Sequence, residues 1–163
     1  MILKRLLPLF LAAVALPLSA ATVSFLVIET GLEEHAGANS YSTLWESSLL
    51  DVFFKEGHIV SNSPVLRLAQ KPEKEFPDEA RGDLSEATEG GVDYFILAMV
   101  DYPASERGRN QKPDTISLRL YKTRPYQFLY EERYAGRNNN RNLSDETVLV
   151  EQTVRRLIPH LKG

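Results

Sequence analysis

His35 is the residue nearest to recognisable chemistry. Glu33 lies two positions before it, and Glu29 precedes both across the glycine-bearing stretch from Thr30 to Asn39. An imidazole and carboxylates of the kind that hold a divalent metal therefore sit close together in sequence. His58 and His160 stand alone and supply no third ligand at a recognisable spacing. A solvated loop histidine is the simpler reading of His35, and a small secreted metal-dependent hydrolase centred on it is the alternative. A hydrolase of the nucleophilic kind needs a nucleophile, a base and an orienting group. Ser47 and Ser48 fall inside a helical pattern, and no Gly-x-Ser-x-Gly elbow occurs. Glu131 and Glu132 are adjacent on a strand pattern, so they point to opposite faces and cannot share a substrate. Gly90 and Gly91 precede a strand rather than open a helix, so they form no phosphate loop. Neither catalytic, metal-binding nor cofactor-binding residues are assigned.

Two features remain as interaction candidates. Arg107, Arg109 and Lys112 concentrate positive charge in the polar segment from Pro103 to Asp114, with Arg137 and Arg141 in a later loop. They are the candidate partner-binding residues, with a solvated loop as the plain reading. Tyr126, Phe128, Tyr130 and Tyr134 alternate along one strand and share a face with Glu132; an ordinary sheet face under a helix is the plain reading there. Asn142-Leu143-Ser144 matches an N-glycosylation acceptor, but reads more simply as a loop followed by a helix cap at Ser144.

The elements that must position these residues are organised around Tyr94 to Val100. This run follows two glycines and is closed by Asp101, Tyr102 and Pro103. Tyr94, Ile96, Ala98 and Val100 occupy one face, and Phe95, Leu97 and Met99 the other. Both faces are apolar, as in a central strand covered on two sides. Before it, Thr22 to Glu29 reads as a first strand. A helix begins between Ser40 and Thr43, with Thr43 and Glu46 as a capping box and Trp45, Leu49, Val52 and Phe53 on the buried stripe, widened by Leu50 and Phe54. Gly57 ends that helix, and His58 to Asn62 is a short second strand. Ser63 to Pro77 is an exposed connection, and Asp78 to Glu89 a second helix with Ala80, Leu84 and Ala87 facing in.

After the central strand, Thr115 to Tyr121 alternates with Ile116, Leu118 and Leu120 inward, and Tyr126 to Tyr134 returns antiparallel to it. A last helix carries Val150, Val154, Leu157 and Leu161, and Pro159 kinks or ends it near its C-terminus. The order β-α-β-α-β-β-β-α, with the second strand short, predicts an α/β sandwich: one domain over residues 21–163, with a mixed five-stranded sheet and three helices.

Composition agrees with that class. The chain has 163 residues, 43% hydrophobic and 25% charged, ordinary for one globular domain. Residues 1–20 read as a signal peptide: Lys4 and Arg5 form a basic start, Leu6 to Leu18 an apolar core, and Ser19-Ala20-Ala21 the small residues for cleavage after Ala20 or Ala21. Removing Lys4 and Arg5 takes the formal net charge from -3 to -5, which argues against a nucleic-acid partner. With no cysteine for lipid attachment, the expected product is periplasmic, with no stable membrane anchor after cleavage.

The chain resembles the N-terminal domain of TolB and the related envelope domains of the curli-secretion lipoprotein CsgG and of LpoB. The resemblance rests on Leu49 to Val60, where a helix ends at a glycine before a short strand. It rests also on the Gly91-Val92-Asp93-Tyr94 entry to the central strand, and on Leu118-Arg119-Leu120-Tyr121-Lys122-Thr123 in the hairpin. The lipidated relatives carry a cysteine after the leader and TolB adds a β-propeller; this sequence has neither. The resemblance implies a soluble periplasmic accessory or adaptor protein that is not an enzyme and needs no cofactor. Its partner would be an envelope protein or an anionic envelope polymer. A small-ligand binder with a pocket at the strand ends near Thr30 to Asn39 is a further alternative.

Overall fold

In the computed structural model of the chain, residues 20–32, 39–103, 111–136 and 143–161 are described. Nearly all of the proposed leader, together with His35, Glu33, Arg107, Arg109, Arg137, Arg141 and Asn142, lies outside them, as does the side chain of Ser144.

The elements are β1 (Thr22–Thr30), α1 (Ser40–Lys55), β2 (Ile59–Asn62), β3 (Leu66–Leu68), α2 (Arg81–Glu89), β4 (Tyr94–Asp101), β5 (Thr115–Lys122), β6 (Gln127–Ala135) and α3 (Leu143–Arg155), with 3-10 turns at Asp78–Ala80 and Ile158–Leu161. They build one six-stranded sheet in the order β2-β1-β4-β5-β6, with β3 paired to β1 farther along the same edge as β2. β1 runs parallel to β2, β3 and β4, while β4, β5 and β6 are antiparallel. The fold is the mixed α/β sandwich that the sequence predicts, with one added strand. Leu66, Arg67 and Leu68, from the stretch expected to be an exposed connection, pair with Ile28, Glu29 and Thr30.

β4 is buried along its length except at Asp101, and its two faces enter two different cores. Tyr94, Ile96, Ala98 and Val100 pack with Val23, Phe25 and Val27 of β1 and Ile116, Leu118 and Leu120 of β5, beneath α1 and α3. Phe95, Leu97 and Met99 pack with Leu26, Ile28, Tyr121, Ala80 and Ala87, with Leu84 and Phe76 beside them, beneath α2 and the segment before it. The connection after β1 moves one way across the sheet and the connection after β3 moves the other. α1 and α2 therefore cover opposite faces, as right-handed crossovers require.

Local chemistry sets the helix ends. Asn39, not Thr43, caps α1: its Oδ1 accepts the Tyr41 N–H at 2.9 Å, while the Thr43 hydroxyl donates to the Asn39 carbonyl at 3.1 Å. Gly57 has φ +84, and the next N–H, from His58, returns to the Phe53 carbonyl at 3.0 Å. Phe54, expected to widen the buried stripe of α1, is instead 73% exposed, because α3 and the sheet take only the side of α1 that carries Trp45, Leu49, Val52 and Phe53.

Candidate functional site

β1 and β4 lie side by side and parallel, with their carboxyl ends together at Thr30 and Asp101, and the crossover out of β1 and the crossover from β3 into β4 pass over opposite faces of the sheet. In open α/β sheets such a switch point is where ligands bind. Here it is filled. Gly31, at φ +80, lies so close to the Tyr102 carbonyl that a Cβ added there would come within 2.2 Å of its oxygen. The Tyr102 N–H bonds the Thr30 carbonyl at 2.9 Å, and the buried Tyr102 phenol shares a 2.7 Å hydrogen bond with the Ser42 hydroxyl. Burial pushes that phenol well above the ordinary tyrosine range.

Two carboxylates among the described residues at this point are paired. Arg67 Nε donates to the buried Glu29 carboxylate at 2.7 Å. Asp101 accepts the Thr30 hydroxyl at 2.7 Å and pairs with Lys71. Glu29, one of the carboxylates that sequence places near His35, is thus committed to an ion pair on the sheet. His58 and His160 are engaged elsewhere: His58 Nδ1 accepts the Ala21 N–H at 3.2 Å, and His160 stacks on Tyr130. Among the described residues no group of three or more His, Cys, Asp or Glu could hold a metal ion.

Of the predicted partner-binding residues, Lys112 is described and half-buried, while Arg107 and Arg109 are outside the described residues. The described ends of the segments that carry the cations meet at one end of the sheet. Asp114 N–H bonds the Asp101 carbonyl at 2.7 Å and Gly136 N–H bonds the Asp114 carbonyl at 3.1 Å. The loop into β5 and the loop out of β6 therefore share an anchor.

The aromatic face of β6 is rearranged relative to expectation. Leu120 pairs with Tyr130, but Tyr121 pairs with Phe128, so the register shifts by one residue and Leu129 is extra. The bulge divides the four aromatics between the two faces. Tyr130 and Tyr134 pack towards the core under α1 and α3, with Tyr134 against Trp45 at 5.8 Å between ring centroids. Tyr126 and Phe128 turn to the opposite face. There Tyr126 stacks on Tyr121 at 5.6 Å, Phe128 meets Tyr121 edge-on, and Phe76 closes the group at 5.2 Å from Tyr121. Burial, with Tyr126 beside it, raises the Tyr121 phenol to about 12. Tyr126 and Phe128 are still 56% and 52% exposed, because α2 covers β1 and β4 and stops short of the outer hairpin. One sequence signal marked the change: Phe128-Leu129-Tyr130 breaks the apolar alternation with three apolar residues in a row. Phe76, in the proline-bearing connection, gave no signal of this kind.

What these features define is a small three-layer α/β domain with a filled switch point and an aromatic surface on its edge hairpin. A family model described as "Uncharacterised protein" matches residues 22–124, and the chain belongs to that family. No curated protein matches the sequence. Among solved structures the chain is similar to the PelC dodecamer from Paraburkholderia phytofirmans, with 12% identity over 88% of this chain and 89% of that chain and a TM-score of 0.45. It is also similar to TolB from Acinetobacter baumannii, with 11% identity over 86% of this chain and 30% of that chain and a TM-score of 0.42. The LpoB C-terminal domain from Escherichia coli matches at 10% identity over 73% of this chain and 84% of that one, with a TM-score of 0.41. TolB and LpoB, which the motifs of the sequence resemble, are thus both among its structural neighbours. The likeness is one of fold and carries nothing about function.

Proposed function

We propose that the protein is an exported accessory or adaptor of the cell envelope that acts by binding another envelope component and performs no catalysis. The observation that carries this reading is the exposed pair Tyr126 and Phe128 on the edge hairpin that ends in β6. Large aromatic side chains lose little conformational entropy on binding and dominate contact energetics, so an exposed cluster on a sheet edge is suited to recognition. Among the described residues at the strand ends, Glu29, Arg67, Thr30, Asp101 and Lys71 are paired with one another. The resemblance to envelope domains and the leader-like first twenty residues support a binding event outside the cytoplasm.

The contact element in this reading is the outer hairpin with its loops. Tyr126 and Phe128 supply the apolar part, while the segment from Pro103 to Asp114, with Arg107, Arg109 and Lys112, supplies positive charge. The partner is an envelope protein with an acidic face; an anionic envelope polymer is the other outcome of the test. Immobilised mature protein is incubated with solubilised envelope from the source cell, and the retained component is purified and titrated. Tyr126→Ser combined with Phe128→Ser is expected to weaken binding by roughly tenfold or more, as loss of an aromatic anchor does. Unchanged affinity in that double variant, with the fold intact by circular dichroism, overturns the role of the hairpin.

A further inference from the structure

Among the described residues, the first strand opens directly at the proposed leader boundary, at Thr22. Ala20 is exposed, whereas Ala21 is 8% exposed and belongs to the core under α1 and α3. Both backbone groups of Ala21 are engaged: its N–H donates to His58 Nδ1 at 3.2 Å, and its carbonyl accepts the Ile59 N–H at 3.0 Å. Thr22 is held from the other side. Its N–H donates to the Asp93 carboxylate at 2.8 Å and its carbonyl accepts the Asp93 N–H at 2.9 Å. The lead-ins to β2 and β4 thus clamp residues 21 and 22 between them. His58 is itself placed by the left-handed turn at Gly57 and lies 6.0 Å from the Phe53 ring, centroid to centroid.

Small residues precede two candidate bonds. A cut after Ala21 would leave Ala21 and Ser19 at the first and third positions before the bond, the better match to an A-x-A pattern; a cut after Ala20 leaves Ala20 and Leu18 there. The fold weighs the other way. Cutting after Ala21 discards a buried side chain and two backbone hydrogen bonds, whereas cutting after Ala20 discards only an exposed residue.

We propose that a signal peptidase hydrolyses the Ala20–Ala21 bond before β1 is paired, and that the amino terminus so created is a structural element held by His58. Water adds across the amide: its oxygen joins the Ala20 carbonyl carbon, the C–N bond breaks, and the Ala21 nitrogen leaves as an amine that takes up a proton. The resulting ammonium keeps the place of the amide nitrogen and donates to the unprotonated Nδ1 of His58. Once β1 lies between β2 and β4, the residue after the scissile bond is locked into the sheet, and a peptidase cannot draw it into an extended substrate conformation. Cleavage therefore precedes folding. The timing ensures that a chain still tethered by its leader has not completed the edge of β1.

This inference rests on the export reading above, and its test separates the two. The full 163-residue chain is expressed in an export-competent cell and its intact mass measured. A product beginning at Ala21 is expected. A product beginning at Thr22 or elsewhere overturns the assignment and leaves export standing; a chain retaining the leader overturns both. For the order of events, the full-length precursor is presented to purified signal peptidase in detergent micelles, either directly from denaturant or after refolding. The refolded precursor is expected to be cut slower by about tenfold or more, because cleavage must wait for local opening; equal rates overturn the order. In the mature protein, His58→Ala is expected to speed acylation of the terminal amine by an amine-selective reagent, and an unchanged rate removes His58 as its partner.

Discussion

Glu131 sits on β6, with one carboxylate oxygen 2.9 Å from Arg119 Nε and the other 3.0 Å from Arg133 Nη2. Arg119 is directly across the strand pair and also donates to the Glu75 carbonyl, so this carboxylate ties the hairpin to the connection before α2. Burial works to raise the Glu131 pKa, but Arg133 and Arg119 outweigh it and hold the carboxyl below its ordinary value. A depressed acid stabilises the fold above its unfolded pKa and loses that contribution as pH falls through the folded value. Glu131→Gln is therefore expected to lower stability at pH 7 by about 1–3 kcal/mol. The gap to wild type should close as pH falls below about 4. Urea unfolding of both proteins across that range checks it, and a gap independent of pH would assign the effect to packing. The pair was not legible in sequence: Glu131 and Glu132 were separable onto opposite faces, but which arginine each would meet depended on strand register. Register places Glu131 beside Arg119, while Glu132 receives Arg156 and the Tyr130 hydroxyl on the other side of the sheet.

At the scale of elements, β4 and α2 give contrasting expectations. Leu97 is fully buried between Leu26 and the residues under α2, so Leu97→Ala is expected to cost about 2–5 kcal/mol in urea unfolding. A loss under about 1 kcal/mol would mean that the second core closes over the gap. Gly82 in α2 has open space, with nothing within 4 Å, where the methyl group of an alanine would sit, and its φ is not positive. Gly82→Ala is accordingly expected to raise stability by up to about 1 kcal/mol, the helix-propensity difference; a decrease would show that the residue's freedom serves something other than the helix. β4 was readable because both of its faces are apolar, and α1 because its stripe recurs at helical spacing. β3 was not, because three residues among prolines and charges carry no periodicity of their own. It becomes a strand only because Ile28 to Thr30 offers a free edge beyond the end of β2.

For the whole molecule, the filled switch point moves attention from the strand ends to the outer hairpin. The described ends of the segment leading into β5 and of the segment leaving β6 meet at one end of that hairpin, and in the proposed function the first segment brings Arg107, Arg109 and Lys112 to an acidic partner. Exposed charges mainly steer association, and their effect weakens as salt screens them. Changing all three residues to Ser is expected to slow partner association and flatten its salt dependence. Association rates measured at two salt concentrations check this, and rates equal to wild type at both would remove the loop from the contact. Lys112 is half-buried, so the stability of the triple variant is measured alongside by urea unfolding.

The sequence by itself determined the order of the elements other than β3, the two-sided burial of β4, the inward residues of α1 other than Phe54, those of α2 and α3, and the glycine that ends α1. Each of these follows from a local period or a local backbone requirement, which a chain carries with it before it folds. Tertiary structure decided what depends on pairing partners. The one-residue shift between Tyr121 and Phe128 sends Tyr126 and Phe128 away from Tyr130 and Tyr134, and no single-strand pattern specifies which neighbour a bulge will face. The same holds for Glu29, which reads as a free carboxylate beside His35 until β3 brings Arg67 against it. Ala21 likewise reads as a residue on either side of the leader cut until the lead-in to β2 and His58 take hold of it. In each case the deciding contact joins residues distant in sequence, so its energy exists only once the sheet is assembled.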